Sequence, residues 1–135
     1  EEAAEVAPDE IITLHWAIVP WTQSEIDQVQ VVIDLYTAKN PNIKCEIDII
    51  QADEYIPKLT SLLAADALPD IFFTHSGWTE QFAVDGISID LRPFLESGDF
   101  PITLDDLDPA MARISTATNG MVTVIPRAMA VMLMF

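Results

Sequence analysis

Asn42-Ile43-Lys44-Cys45-Glu46-Ile47-Asp48-Ile49-Ile50 is the stretch on which the fold turns. Ile43, Cys45, Ile47 and Ile49 alternate with Lys44, Glu46 and Asp48. Side chains of a strand point to opposite faces in turn, so this period of two predicts a strand with one buried face. Just before it, Asn40-Pro41 ends whatever helix precedes, because proline disfavours helical backbone in the residue ahead of it. Upstream, Ile26, Val29, Ile33 and Tyr36 recur at helical intervals, and Thr22 and Glu25 have capping-box spacing. A helix from the Thr22 cap to near Lys39 is therefore expected. Further back, Ile11–Trp16 is a short apolar run of strand type, and Ala17–Trp21, containing Pro20, reads as the loop leaving it.

Downstream the alternation of strand and helix continues. A second helix is expected over roughly Asp53 to Ala65, with Ile56, Leu59, Leu62 and Leu63 on its apolar side. Pro57 is assigned to its first turn, where a missing N–H is tolerated. Ala67-Leu68-Pro69 turns into Asp70–Thr74, whose Ile71-Phe72-Phe73 centre suggests a fully buried strand. His75-Ser76-Gly77 ends that strand and opens a short helix through Phe82, closed by Gly86. Ile87–Glu96 is a mixed connection with one helical turn at Pro93-Phe94-Leu95. Asp108 caps a further helix with Pro109 at its first position, and Ala110, Met111 and Ile114 give it an apolar side. Asn119-Gly120 makes a tight turn into a strand at Met121–Ile125; Pro126 interrupts, and Ala128–Phe135 starts another strand. The order β-α-β-α-β-α predicts an α/β fold, a mostly parallel sheet with helices on both faces. In such sheets ligands sit outside the C-terminal strand ends, where strand order reverses. Trp16, Trp21 and Trp78 all fall on that predicted edge.

Composition narrows the partners. Half of the 135 residues are hydrophobic, enough for a packed core. The charge is lopsided, with 22 acidic residues against 6 basic ones and a net charge of −16. Lys39, Lys44, Lys58, Arg92, Arg113 and Arg127 are scattered, whereas binding a phosphate backbone needs clustered cations. No nucleic-acid partner is expected, and attraction to an anionic membrane surface is disfavoured for the same reason. The single cysteine, Cys45, lies on the apolar face of its strand and reads as core. Residues 1–10 are expected to form a disordered acidic lead-in; they lack the basic start and apolar stretch of a signal peptide. No run reaches the ~18 apolar residues of a membrane-spanning helix.

Several stretches together resemble a known family. ITLHW…W, then YTAKNPNIKCEIDII, then DEYIPKLTSLLAADALPDIFF, then FAVDGISIDLRPFLES, and finally NGMVTVIPRAMAVMLMF follow one another in order over residues 11–135. This series is similar to the N-terminal part of the sugar-binding extracellular solute-binding proteins of ABC importers, the group that includes maltose-binding protein. Met121, Thr123 and Asn119 depart from that group's habitual Asp-Gly-Lys-x-Tyr hairpin. The resemblance implies a periplasmic-binding-protein-like lobe, one of two that close on a ligand about a hinge. Residues 11–118 would form the first lobe, and 119–135 a hairpin and the start of a strand crossing towards a second lobe. It also implies a mono- or oligosaccharide ligand, a membrane permease as partner, and an extracytoplasmic location, as a periplasmic protein or a lipoprotein. The unpartnered apolar run Ala128–Phe135 suggests that the chain is part of a longer protein and can self-associate through this strand.

Candidate ligand-binding residues follow from the predicted edge. Aromatic faces suit the apolar C–H faces of a sugar ring, so Trp16, Trp21 and Trp78 are candidates; the alternative for Trp16 and Trp78 is core or surface packing, and for Trp21 that Pro20-Trp21 staples the helix entry. His75 and Ser76 lie before a helix N-terminus, where backbone N–H groups meet ligand oxygens; the resemblance puts first-lobe ligand contacts there. The bland alternative makes Ser76 a cap and His75 a surface residue. Arg127 offers a planar fork near the hinge or a plain salt bridge. Tyr55 lies close enough to reach the cleft but is expected to pack, and His15 is read as structural. Catalytic, metal and cofactor sites are not expected. The glycines at 77, 86, 98 and 120 are isolated, and no nucleophile elbow or zinc spacing occurs. Asp105-Asp106-x-Asp108 reads as a helix cap rather than a calcium loop. Two other readings stay open: a flavodoxin-like enzyme whose catalytic residues lie elsewhere, and a self-standing interaction module.

Overall fold

The computed structural model describes residues 11–75 and 77–126. Ser76, Arg127, the acidic lead-in 1–10 and the run Ala128–Phe135 lie outside the described residues. Contacts divide the chain into two compact units, Glu1–Phe73 and Thr74–Phe135.

The first unit is built on a three-stranded parallel sheet. Strand β1 (Ile12–Ile18) lies at its centre, with β2 (Ile43–Ile49) on one side and β3 (Ile71–Phe72) on the other. β1 and β2 pair along their whole lengths, from Ile12 opposite Ile43 to Ile18 opposite Ile49. The alternating stretch thus forms the expected strand, with Ile43, Cys45 and Ile47 partly buried on one face, but Ile49 at its end is half exposed. β1, however, runs two residues past the expected end at Trp16. The seven residues of β2 supply partners for Ala17 and Ile18, and both are buried, which outweighs the local turn signal of Pro20. β3 is shorter than the expected five residues. It pairs with β1 only at Ile71 and Phe72, and Ile71 remains partly exposed rather than fully buried.

Helix α1 (Gln23–Lys39) begins as the sequence predicts. Thr22 accepts from the Glu25 N–H through Oγ1, and the Glu25 carboxylate reaches back to the Thr22 N–H at 3.3 Å, a complete capping box. Val29 and Ile33 pack with Ile18, and Trp16, Ile26, Cys45 and Ile47 close around them. Tyr36, on the expected apolar stripe, is half exposed instead. Helix α2 (Ala52–Ala64) buries Tyr55 and Leu59 completely. Because α2 starts at Ala52, Pro57 falls inside the helix and not in its first turn. There its ring nitrogen cannot donate to the carbonyl four residues back.

The second unit holds α3 (Thr79–Val84), α4 (Arg92–Glu96) and α5 (Pro109–Ser115), with one 3₁₀ turn at Leu104–Asp106. Asp108 caps α5 by accepting from the Ala110 N–H at 2.9 Å, with Pro109 in its first turn. The strand expected at Met121–Ile125 is reduced to one antiparallel bridge, Thr116 to Val122. Phe82, Leu95, Ala117 and Val122 are buried in this unit.

Candidate functional site

Strand order fixes where a site can form in the first unit. The chain leaves β1 for β2 on one side, then returns for β3 on the other, so the order reverses between β1 and β3. In parallel sheets of this kind, ligands bind beyond the C-terminal strand ends at such a reversal. Trp21 lies in the loop after β1 and Phe73 directly follows β3. Their rings meet edge to face, with centroids 5.6 Å apart and planes at 79°. Trp21 is 65% exposed, so most of the indole faces solvent.

Both members of this pair are anchored from below. The Trp21 N–H donates to Glu25 Oε2 at 2.6 Å, so the carboxylate that completes the helix cap also fixes the loop. The Phe73 N–H donates to the Ala17 carbonyl at 2.9 Å. The Tyr55 hydroxyl, fully buried, donates to the Phe73 carbonyl at 2.6 Å, and its ring lies 6.3 Å from that of Phe73. Burial pushes the Tyr55 hydroxyl well above its ordinary pKa. Tyr55 thus supports the strand end from the core. Trp16 stands two residues inside the end of β1, partly buried against α1.

The second unit carries a separate aromatic cluster. His75 and Trp78 stack with centroids 3.8 Å apart, and Trp78 stacks in turn on Phe82 at 6.2 Å. His75 Nδ1 accepts from the Gly77 N–H at 3.0 Å, and its carbonyl accepts from the Trp78 N–H at 2.8 Å. A Cβ at Gly77 would stand 2.8 Å from His75 Cε1, so glycine is what lets the imidazole fold back over the turn. Trp78 occupies the N-cap of α3. His75 is exposed and Trp78 half-buried. In the same unit, carboxylates tie the backbone at two places. Glu80 accepts from the Thr118 hydroxyl and from the Thr118 N–H, and Asp90 Oδ1 accepts from the N–H groups of Arg92 and Val122. These donors favour the ionised forms and hold both carboxyls below the usual range.

His15 is on the α2 side of the sheet, its Nδ1 3.5 Å from Asp48 Oδ2. Both line a cavity of about 340 Å³ together with Lys58 and Leu62 of α2. Among the described residues no group of His, Cys, Asp and Glu side chains is arranged to hold a metal ion.

The residues from 21 to 135 match the family model of the bacterial extracellular solute-binding proteins. The chain belongs to that family. Solved structures agree on the fold. The sugar-binding protein MalE from the phytopathogen Xanthomonas citri is 19% identical with a TM-score of 0.72, over 82% of this chain and 27% of that one. An ABC substrate-binding protein from Listeria monocytogenes, in complex with cycloalternan, is 18% identical with a TM-score of 0.69, over 83% and 28%. A protein described in connection with xylan utilisation by Caldanaerobius polysaccharolyticus is 27% identical with a TM-score of 0.65, over 85% and 28%. The chain therefore spans little more than a quarter of the length of each of these proteins. Among the described residues, no helix is long and apolar enough to cross a membrane.

Of the sequence-predicted residues, the structure brings Trp21 and Tyr55 together around Phe73 in one unit, and His75 with Trp78 in the other. Phe73 was not among the candidates, although it is an aromatic residue at the end of an apolar run that leads out of a predicted strand.

Proposed function

We propose that this chain contributes a lobe of the solute-binding component of an ABC importer. The component holds a carbohydrate and hands it to a membrane permease on the outer side of the cell membrane. The observation that carries this reading is Trp21, exposed and anchored, set against Phe73 where strand order reverses. An apolar ring presented to solvent and held by a hydrogen-bonded loop suits the C–H face of a sugar. Trp78, stacked between His75 and Phe82, is a second aromatic candidate, and Ser76 and Arg127 remain candidates from the family resemblance. That the similar structures include a sugar-binding protein and a complex with cycloalternan supports a saccharide over an amino acid or peptide. Solute binding, rather than catalysis, is the family's defining role, which supports a non-enzymatic reading.

The test is a titration of the full-length protein with xylo-, malto- and manno-oligosaccharides, followed by tryptophan emission and thermal stability. One class should shift both. Trp21→Ala should then weaken binding about ten- to a hundredfold, with unfolding unchanged because the side chain is largely exposed. Silence towards every saccharide, or undiminished affinity in the Trp21 variant, would overturn the reading.

A further inference from the structure

The chain has three asparagines, Asn40, Asn42 and Asn119, and only Asn119 is followed by glycine. From its setting we infer that Asn119 is a site of spontaneous deamidation in the folded protein. The chemistry is an attack by the Gly120 backbone nitrogen, after loss of its proton, on the Asn119 side-chain carbon Cγ. Solvent takes the Gly120 proton and returns one to the side-chain nitrogen, the bond from Cγ to that nitrogen breaks, ammonia leaves, and a five-membered succinimide remains. Water then opens the ring at either carbonyl, leaving aspartate or isoaspartate. No oxidant or reductant takes part.

The turn favours each step. Asn119 is exposed, so water reaches the ring. Its Oδ1 accepts from the Met121 N–H at 3.0 Å, which draws electron density from Cγ and meets the oxyanion that forms on attack. Gly120, at φ +89°, has no side chain to shield its nitrogen. The Arg92 guanidinium lies 3.6 Å from where a Gly120 Cβ would stand. That cation favours the deprotonated nitrogen and the oxyanion alike. Two contacts oppose the step and must be released: the Gly120 N–H donates to the Ala117 carbonyl at 2.8 Å, and the Asn119 side-chain N–H donates to Met121 Sδ at 3.2 Å. The other two asparagines serve as internal controls. The nitrogen of Pro41 has no proton to lose. Ile43 is β-branched, and its N–H is held by the Asn40 carbonyl at 2.9 Å at the start of β2.

The two products differ in consequence. Aspartate keeps the acceptor for Met121. Isoaspartate adds a methylene to the backbone of the turn, between the Ala117 N–H and the Met121 carbonyl that it bonds at 2.8 Å.

The experiment holds the folded full-length protein in mildly alkaline buffer for days, then maps tryptic peptides by mass. The peptide Ile114–Arg127 should gain the mass of replacing an amino by a hydroxyl group and become a substrate for isoaspartyl methyltransferase. The peptide Asn40–Lys44 should do neither. Asn119→Gln should abolish the change, because its six-membered ring closes far more slowly. An unchanged Ile114–Arg127 peptide from the folded protein would overturn the proposal, whether or not the urea-unfolded protein converts. Conversion in urea alone would mean that the hydrogen bond to Ala117 locks the turn.

Discussion

Removing the Tyr55 hydroxyl tests how the candidate edge is held. Tyr55 is fully buried, and its hydroxyl donates to the Phe73 carbonyl at 2.6 Å, joining the start of α2 to the residue that follows β3. Tyr55→Phe keeps the ring, so no cavity opens and the edge contact with Phe73 survives. What goes is one buried hydrogen bond, worth about 1–2 kcal/mol once the loss of a donor to a buried acceptor is counted. Tyr55→Ala would add a cavity and cost about 3–5 kcal/mol. Urea unfolding of the full-length protein measures the difference, with the midpoint falling and the slope unchanged. A second readout is pH. Burial raises the Tyr55 pKa in the folded state, so the unfolded chain loses this proton first. Its contribution is therefore fully present below about pH 10, the unfolded value, and is lost as pH rises from there towards the folded value. The phenylalanine variant should lack that part of the alkaline decline. Equal stability and an equal alkaline slope in the two proteins would show that the hydrogen bond does not hold the strand end.

Two further outcomes are expected. Thr22→Ala removes the side-chain half of the α1 capping box and should cost about 0.5–2 kcal/mol in urea unfolding; a change below that range would mean that Glu25 alone holds the helix start. Asp90, held below the usual carboxylate range by the Arg92 and Val122 N–H groups, contributes stability present above about pH 4 and lost as pH falls through its depressed folded value. Asp90→Ala should flatten the acid side of the stability profile, measured by unfolding at stepwise lower pH, and an unchanged acid slope would refute its role in tying Val122.

The sheet was legible because its signal is local. Ile43 to Ile49 alternate without interruption, and the capping box and Asn40-Pro41 bracket α1, so neighbours in sequence decide the conformation. The errors came where a partner decides. β1 extends through Ile18 because β2 is there to pair with it, which no pattern within Ile11–Trp21 records. β3 is cut to two residues by the limit of its pairing with β1, although Ile71-Phe72-Phe73 reads as a longer run. Pro57 was assigned to a first turn it lies beyond, being the sixth residue of α2. The candidate site was legible in its residue types and not in its geometry: Trp21 could be nominated from its loop, but Phe73 becomes its neighbour only once β3 lies beside β1.

Trp16 and Trp21 are five residues apart and have opposite surroundings, and the physics of the difference bears on function. Trp16 lies against Val29, Ile33 and Ile18 as part of the first unit's core, where burying an aromatic side chain contributes about 1.5–3 kcal/mol. Trp21 forgoes most of that contribution, and its loop is nonetheless ordered by a 2.6 Å hydrogen bond to Glu25. An exposed side chain free to rotate would lose its freedom on meeting a ligand, at about 0.5–1.5 kcal/mol for each side chain immobilised. The Phe73 edge contact bears part of that cost during folding, and the Glu25 bond, made to the Trp21 backbone N–H, fixes the loop that carries the ring. The same carboxylate starts α1 and aims Trp21, so helix stability and the readiness of the edge are coupled through a single residue.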